Sequence, residues 1–187
     1  MTLLALTVAT ALPVGFALLV GYWNLSIQVA FWSSYIAAHG RAPRTSKSPL
    51  RFRIGLDLDD HVVSWLDWEP ASRVLGHSLD DPVMEALRKR ARWADRIHLA
   101  SLPLVLIAAF ASAIAFGTSW LIPLAGGGAA WALGHGISEN PGLRYSRPDI
   151  AEFDRSMWLY YLLPMAIVGG TLLIAGVLIA VVQMLRA

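Results

Sequence analysis

Long uncharged apolar segments alternate with polar segments along this chain. The longest such region, residues 97–138, contains no Asp, Glu, Lys or Arg, and its polar centre is the sequence Gly117-Thr118-Ser119. A helix crosses the bilayer core with about 20 apolar residues. The region is therefore long enough to cross, turn and cross back, and it predicts a transmembrane hairpin around which the rest of the chain is built.

Two further segments have the length and apolarity of membrane spans, one near each end of the chain. No Lys or Arg precedes the first, so it lacks the basic start of a cleavable signal peptide and we expect it to be retained. Asn24 and Gln28 follow it among aromatic rings, which favours a helix extending past the bilayer or a segment in the interface. The predicted fold is all-α: a single polytopic membrane domain, residues 1–187, forming a four-transmembrane-helix bundle. The predicted spans are about 2–22, 97–116, 120–137 and 157–185.

The charged residues are concentrated in two loops, 39–96 and 139–155. The first loop holds 11 of the 15 Lys and Arg residues and the second holds three more, leaving only Arg186 outside them. Because short loops rich in Lys and Arg stay in the cytoplasm, we expect both loops inside and both termini outside, most simply in a bacterial inner membrane. The residues 60–75 have the pattern of an amphipathic segment lying on the cytoplasmic surface.

The end of the first loop carries a helix start signal. Asp81 is a typical N-cap residue, Pro82 follows at the first helical position, and Glu85 lies in the first turn. We expect this helix to run unbroken into the second span and to end near Phe116.

Small residues recur every fourth position in the third and fourth spans. This spacing lets helix backbones approach closely in membranes. The predicted packing positions are Gly126, Ala130, Gly134, Ala166, Gly170, Gly176 and Ala180.

The histidines of the hairpin are the first candidate site. His98 lies about 20 residues before the turn and His135 about 17 after it, which places their imidazoles within roughly 5 Å in depth. Two level histidines on facing helices could hold a haem or a related tetrapyrrole through its axial positions. Two interfacial histidines without a special role are the alternative.

Basic residues at the cytoplasmic interface are the second candidate site. Their guanidinium groups would meet lipid phosphates or an anionic substrate, unless they serve only as topological anchors. The residues are Arg92, Arg96, Arg144, Tyr145 and Arg147.

Composition removes several other classes of site. The acidic sequence from Asp57 to His61 does not complete a known metal motif, so no metal site is predicted. The absence of cysteine excludes thiolate ligands and cysteine nucleophiles, and a formal charge of +2 is too small to suggest a nucleic-acid partner. The expected partners are the lipid bilayer and other membrane subunits, or further copies of the chain.

The arginine-rich approach to the second span resembles the family of membrane-associated proteins in eicosanoid and glutathione metabolism. In that family the second helix opens with an arginine-rich segment containing histidine, followed by Asn, Glu and proline. Residues 90–103, RARWADRIHLASLP, are similar in their arginines and proline, and residues 133–136, LGHG, are similar to the end of the family's third helix. Ile97 stands where the family has Asn and Ala100 where it has Glu, so the resemblance implies a relative without the usual glutathione chemistry.

Three functions remain open on the sequence alone. The first is a small non-catalytic integral subunit that packs within a larger membrane assembly. The second is a lipid-facing, glutathione-dependent transferase or a degenerate relative, with its site near Arg92, Arg96, His135, Arg144 and Tyr145. The third is a haem- or pigment-binding subunit that uses His98 and His135.

Overall fold

The described part of the chain is helical throughout. The computed structural model describes residues 3–39, 79–139, 154–155 and 157–186, and within them every regular element is a helix, which confirms the predicted all-α class there. The predicted surface segment 60–75 and most of both predicted loops lie outside the described residues. In chain order the elements are α1 (Leu3–His39), α2 (Pro82–Ala100), α3 (Leu102–Ala115), α4 (Leu121–Glu139), a π-helical turn (Trp158–Leu162) and α5 (Leu163–Arg186).

The helix α1 is much longer than the first span predicted at 2–22. It is continuous over 37 residues and includes Pro13 in its interior. At 1.5 Å per residue it is about 55 Å long, whereas a bilayer core is about 30 Å thick. Asn24 and Gln28 therefore belong to the same helix as the first span.

The helix α1, and not the predicted hairpin, is the centre of the fold. It packs against α2, α3, α4, α5 and the π-helical turn. Gln28 bonds the carbonyl of Ala91, and the Ser112 hydroxyl donates to the carbonyl of Ala9, so α2 and α3 run antiparallel to α1.

The other two neighbours of α1 continue this alternation. Along α4, Gly126 lies beside Thr10 and Ser138 bonds Asn24, so α4 runs parallel to α1. Along α5, Gly169 lies beside Leu18 whereas Gly176 lies beside Leu12, so α5 runs antiparallel.

The start of α2 has the predicted capping residues. The Asp81 carboxylate accepts a hydrogen bond from the backbone N–H of Val83 at 2.9 Å, and Pro82 occupies the first turn. Glu85 accepts from the backbone N–H of Leu79 at 3.1 Å and from Arg88 Nε at 2.7 Å. These bonds fix the first turn of α2.

The expected unbroken helix is interrupted at Ser101, between α2 and α3. Pro103 lies in the first turn of α3 and has no backbone N–H, so one bond of the α-helical series is missing. The backbone N–H of Ser101 instead bonds the carbonyl of His98, three residues back, at 3.0 Å.

The turn after α3 is a Schellman motif. Gly117 has φ of 60°, a left-handed conformation that glycine adopts without strain. The N–H of Thr118 bonds the carbonyl of Ala113 and that of Gly117 bonds the carbonyl of Ile114. This closes α3 and leads to α4.

Three helical segments in the described residues are long and apolar enough to cross a membrane. They are Leu3–Tyr35, Pro82–Ala115 and Trp158–Val182. The third predicted span, in α4, is not among them, because glycines and the polar rings of Trp131 and His135 lower its hydropathy. The fourth crossing therefore stays a prediction.

Candidate functional site

The imidazole of His98 lies fully buried where three helices meet. α1 and α4 cross at Gly21 and Gly134, where a Cβ placed on Gly134 would be only 3.1 Å from the Cα of Gly21 and 3.4 Å from Cε1 of His98. The missing side chains of the two glycines leave room for the ring from α2. The predicted close packing at Gly134 thus lies directly beside the predicted histidine.

Three rings pack together at this position. The centroids of His98 and His135 are 5.8 Å apart, and Trp131 lies 5.2 Å from His98 and 5.4 Å from His135. The ring planes are within 17° of each other. Since the three distances are nearly equal, the rings form a triangle of offset, nearly parallel planes, with each ring touching the other two.

The backbone carbonyl of His98 anchors this cluster to the break after α2. It accepts from Nε1 of Trp131 at 3.0 Å and from the hydroxyl of Ser101 at 2.6 Å. Trp131 also donates to the Ser101 hydroxyl at 3.2 Å. Trp131, which packs on both histidines, is therefore hydrogen-bonded to the end of α2.

The ring nitrogens of His98 are buried without a hydrogen bond of normal geometry. The backbone carbonyls of Val20 and Trp131 are weak hydrogen-bond acceptors for the ring, but no bond to Nδ1 or Nε2 has normal geometry. Nδ1 of His135 is in the same situation. Buried polar atoms without partners cost about 1–3 kcal/mol each, so packing alone does not explain two imidazoles here.

A hydrogen-bonded set of polar side chains extends from the histidines along α1. Asn24 donates to the hydroxyl of Ser138 at 3.0 Å, and that hydroxyl donates to the carbonyl of His135 at 2.9 Å. Gln28 donates to the carbonyl of Ala91 at 2.9 Å, and its Oε1 has no partner. The polar groups therefore run from the His98 level toward the charged start of α2.

The carboxylate of Asp95 belongs to the same region. It is half-buried on α2 and close enough to interact electrostatically with both His98 and His135. One acid near two imidazoles, in the same region as buried amide and hydroxyl groups, can bind a proton or the polar part of a small ligand.

The arrangement of the rings can be compared with what a tetrapyrrole held between the two histidines would require. The two rings lie nearly parallel, 12° apart, and Trp131 packs against both. Axial ligation needs a ring nitrogen aimed at each side of a macrocycle. In this arrangement Trp131 would have to move before a macrocycle could enter. In the described residues, no three His, Asp or Glu side chains are grouped as a metal would require.

The predicted basic residues are only partly described. Arg92 and Arg96 lie exposed on α2, and the guanidinium of Arg96 is 5.9 Å from the ring centroid of Trp93. Arg144, Tyr145 and Arg147 lie outside the described residues. The transferase site suggested by the family resemblance is therefore only partly visible.

Three of the predicted packing glycines contact α1, and the fourth does not. Gly126 and Gly134 lie against α1, and Gly176 lies against Leu12 of α1. Around Gly170 a Cβ would meet nothing within 4 Å, whereas the neighbouring Gly169 would meet Leu18 Cβ at 2.9 Å. The contact on α5 is thus one residue before the predicted position. Of the remaining predicted positions, Ala130 is buried and Ala166 and Ala180 are half-buried.

Sequence reasoning missed Asn24, Gln28, Ser138 and Trp131 as members of the site. A signal was present, because Asn24 and Gln28 are four residues apart in an otherwise apolar helix and so share one face. Polar residues in such a helix usually bond across to a neighbouring helix.

These features define the class of the protein: a chain whose described elements are all helices, with three helical segments able to cross a membrane and a buried polar cluster between helices. Comparison with protein-family models, with curated proteins and with solved structures finds no match to this chain.

Proposed function

We propose that the chain is a small non-catalytic integral membrane subunit that crosses the bilayer four times and packs within a larger membrane assembly. The alternating directions of α1, the α2–α3 pair, α4 and α5 support four crossings. α4 has 19 residues and a length of about 28 Å, close to the thickness of a bilayer core. The Lys and Arg distribution supports loops on the cytoplasmic side of an inner membrane.

The observation that carries the subunit proposal is the small-residue middle of the outer face of α4. It is formed by Ala125, Gly128, Ala129 and Ala132 and lies between the exposed Leu121 and Leu133. The three alanines are exposed, and a Cβ on Gly128 would meet nothing within 4 Å. The inner face of the same helix carries Gly127 and Gly134 and packs on α1. A helix with small residues on both sides can accept a second helix at close range.

The low hydropathy of α4 also supports a helix partner on its outer face. α4 exposes Leu121, Ile122 and Leu133, but the outer face between Ile122 and Leu133 carries only small side chains, which gain little from contact with lipid chains. α5 differs, because its outer face carries bulky side chains: Ile167, Ile174, Leu178 and Leu185. We infer that another transmembrane helix covers α4 and that lipid covers α5.

Matched glycine variants test this proposal. Gly128→Leu and Gly170→Leu both add a side chain where the structure has open space. After gentle solubilisation, we expect the wild type and Gly170→Leu to migrate far above 20.4 kDa with other polypeptides present. Gly128→Leu is expected to lose those polypeptides. A wild-type chain that migrates alone, or equal behaviour of the two variants, would contradict the proposal.

A cofactor-binding subunit is the second candidate, favoured by the unpartnered ring nitrogens of His98 and His135. In this case the purified assembly has a visible absorption band that His98→Leu and His135→Leu each remove. A colourless assembly would eliminate this candidate.

A further inference from the structure

A groove separate from the histidine cluster runs between α1 and the α2–α3 pair. Its volume is about 510 Å³. Phe16, Leu19 and Trp23 line it from α1, and Ile97, Ala100 and Leu104 line it from the other side.

The lining of the groove suits an aliphatic chain. The small side chain of Ala100 lies between the larger Ile97 and Leu104, which are about half exposed. Ser101 also borders the groove, but its hydroxyl already donates to the carbonyl of His98. Both walls belong to candidate membrane spans, so the groove meets lipid chains at that depth.

A cationic group lies at one end of the groove. The contacts of Gly21 with His98 and of Gln28 with Ala91 set the register of α1 against α2, and in this register Trp23 is level with Arg96. Arg96 is exposed, and its guanidinium lies 5.9 Å from the ring centroid of Trp93. Trp93 shares a helix face with Ile97 and Ala100 and is 62% exposed.

The charge around this end is positive. Lys89, Arg90, Arg92 and Arg96 are exposed on α2, and the only acidic residue between 86 and 100, Asp95, is half-buried beside the histidines. Exposed arginine and lysine at the end of a membrane span attract anionic headgroups. Aromatic rings such as Trp23 and Trp93 favour the same depth.

We propose that this groove binds one acyl chain of an anionic phospholipid whose phosphate is held by Arg96 between Trp93 and Trp23. The chain lies over Ala100 between Ile97 and Leu104. The headgroup receives charge-assisted hydrogen bonds from the guanidinium. The site is independent of the proposed subunit contact, which lies on the outer face of α4.

Native mass spectrometry of the gently solubilised protein tests the site. Phosphatidylglycerol and phosphatidylcholine with identical chains are the two probes. We expect phosphatidylglycerol to bind about tenfold more tightly. Both lipids offer the phosphate, but phosphatidylglycerol has a net negative charge, whereas the choline ammonium of phosphatidylcholine is repelled by the guanidinium of Arg96. In Arg96→Gln the two lipids bind equally, and in Ala100→Phe both bind more weakly because the ring fills the groove.

Two matched variants serve as controls. Arg92→Gln removes an exposed arginine one turn further from the groove, and Ala175→Phe adds a ring at an exposed alanine of α5. Arg92→Gln should reduce the preference for phosphatidylglycerol less than Arg96→Gln does, and Ala175→Phe should leave it unchanged.

Three results with the two lipid probes would overturn the proposal. They are equal binding of the two lipids to the wild type, an unchanged preference in Arg96→Gln, or unchanged binding in Ala100→Phe. Inorganic phosphate is a further probe, and it should fail to displace the bound lipid. Displacement by phosphate alone would mean a free-anion site and would also overturn the proposal.

Discussion

The helices α4 and α5 both pack on α1 through glycines, but they differ in what else they bring. α4 meets α1 at Gly21 and Gly134 and supplies Trp131, His135 and Ser138 to a buried polar cluster. α5 meets α1 through apolar contacts. The middle of the outer face of α4, from Ala125 to Ala132, carries small side chains, whereas bulky side chains are exposed along the whole length of α5. We infer that glycine contacts set the distance between helices, and that the residues beside them decide whether an interface is polar or apolar.

The largest expected effect concerns the α5 contact. A Cβ on Gly169 would meet Leu18 Cβ at 2.9 Å and backbone atoms of Gly15 and Leu19 at 3.3 Å, whereas one on Gly170 meets nothing. We expect Gly169→Leu to lower the free energy of unfolding by about 3 kcal/mol, since the backbones must separate. Gly170→Leu, its neighbour, should change stability by less than about 0.5 kcal/mol. Unfolding in mixed detergents measures both, and equal losses would refute the assigned contact.

The next largest loss of stability is expected when the side chain at position 98 becomes smaller. His98→Ala leaves a cavity among the rings and should cost about 2–4 kcal/mol. His98→Leu keeps a similar volume and removes the unpartnered nitrogens, so its stability should stay within about 1 kcal/mol of the wild type. The same unfolding assay compares the two variants. A loss in His98→Leu as large as in His98→Ala would mean that the imidazole nitrogens stabilise the fold.

A smaller effect is expected at Gln28, on the polar side of α1. Gln28→Leu removes the bond to the carbonyl of Ala91 and should cost about 1 kcal/mol. Leu25→Val, a slightly smaller apolar side chain at a fully buried position of α1, is the control for packing. A gain in stability in Gln28→Leu would contradict the importance of that bond.

The smallest effect is the coupling between Asn24 and Ser138. Hydrogen bonds between membrane helices are worth about 0.6 kcal/mol on average, and we expect this value from a double-mutant cycle with Asn24→Ala and Ser138→Ala. A coupling indistinguishable from zero would show that the polar contact between α1 and α4 does not stabilise the bundle.

The sequence was sufficient for features that depend on local chemistry. The length of the uncharged segments predicts membrane helices, and Asp81 followed by Pro82 predicts the start of α2. The central position of α1 could not be predicted in this way, because it depends on which helices meet at Gly15, Gly21, Gly134 and Gly169. Periodicity alone does not specify partners.

The candidate site was predicted in part for the same reason. The sequence predicted that His98 and His135 lie at the same depth in the membrane, since the number of residues between each histidine and the turn fixes that depth. The position of Trp131 against both rings includes a hydrogen bond to the His98 carbonyl at the end of α2, a contact between helices that the sequence does not specify. Asn24 and Gln28 were visible as polar residues in an apolar helix, but only the three-dimensional contacts assign them to the cluster.

Cysteine cross-linking in native membranes tests the different surroundings of α4 and α5 most directly. The chain has no cysteine, so Ala132→Cys and Leu178→Cys each introduce a single reactive group, one on the outer face of α4 and one on that of α5. We expect Ala132→Cys to cross-link to another polypeptide and Leu178→Cys to remain uncross-linked. Cross-linking at both positions, at neither, or only at position 178 would contradict a helix partner on α4.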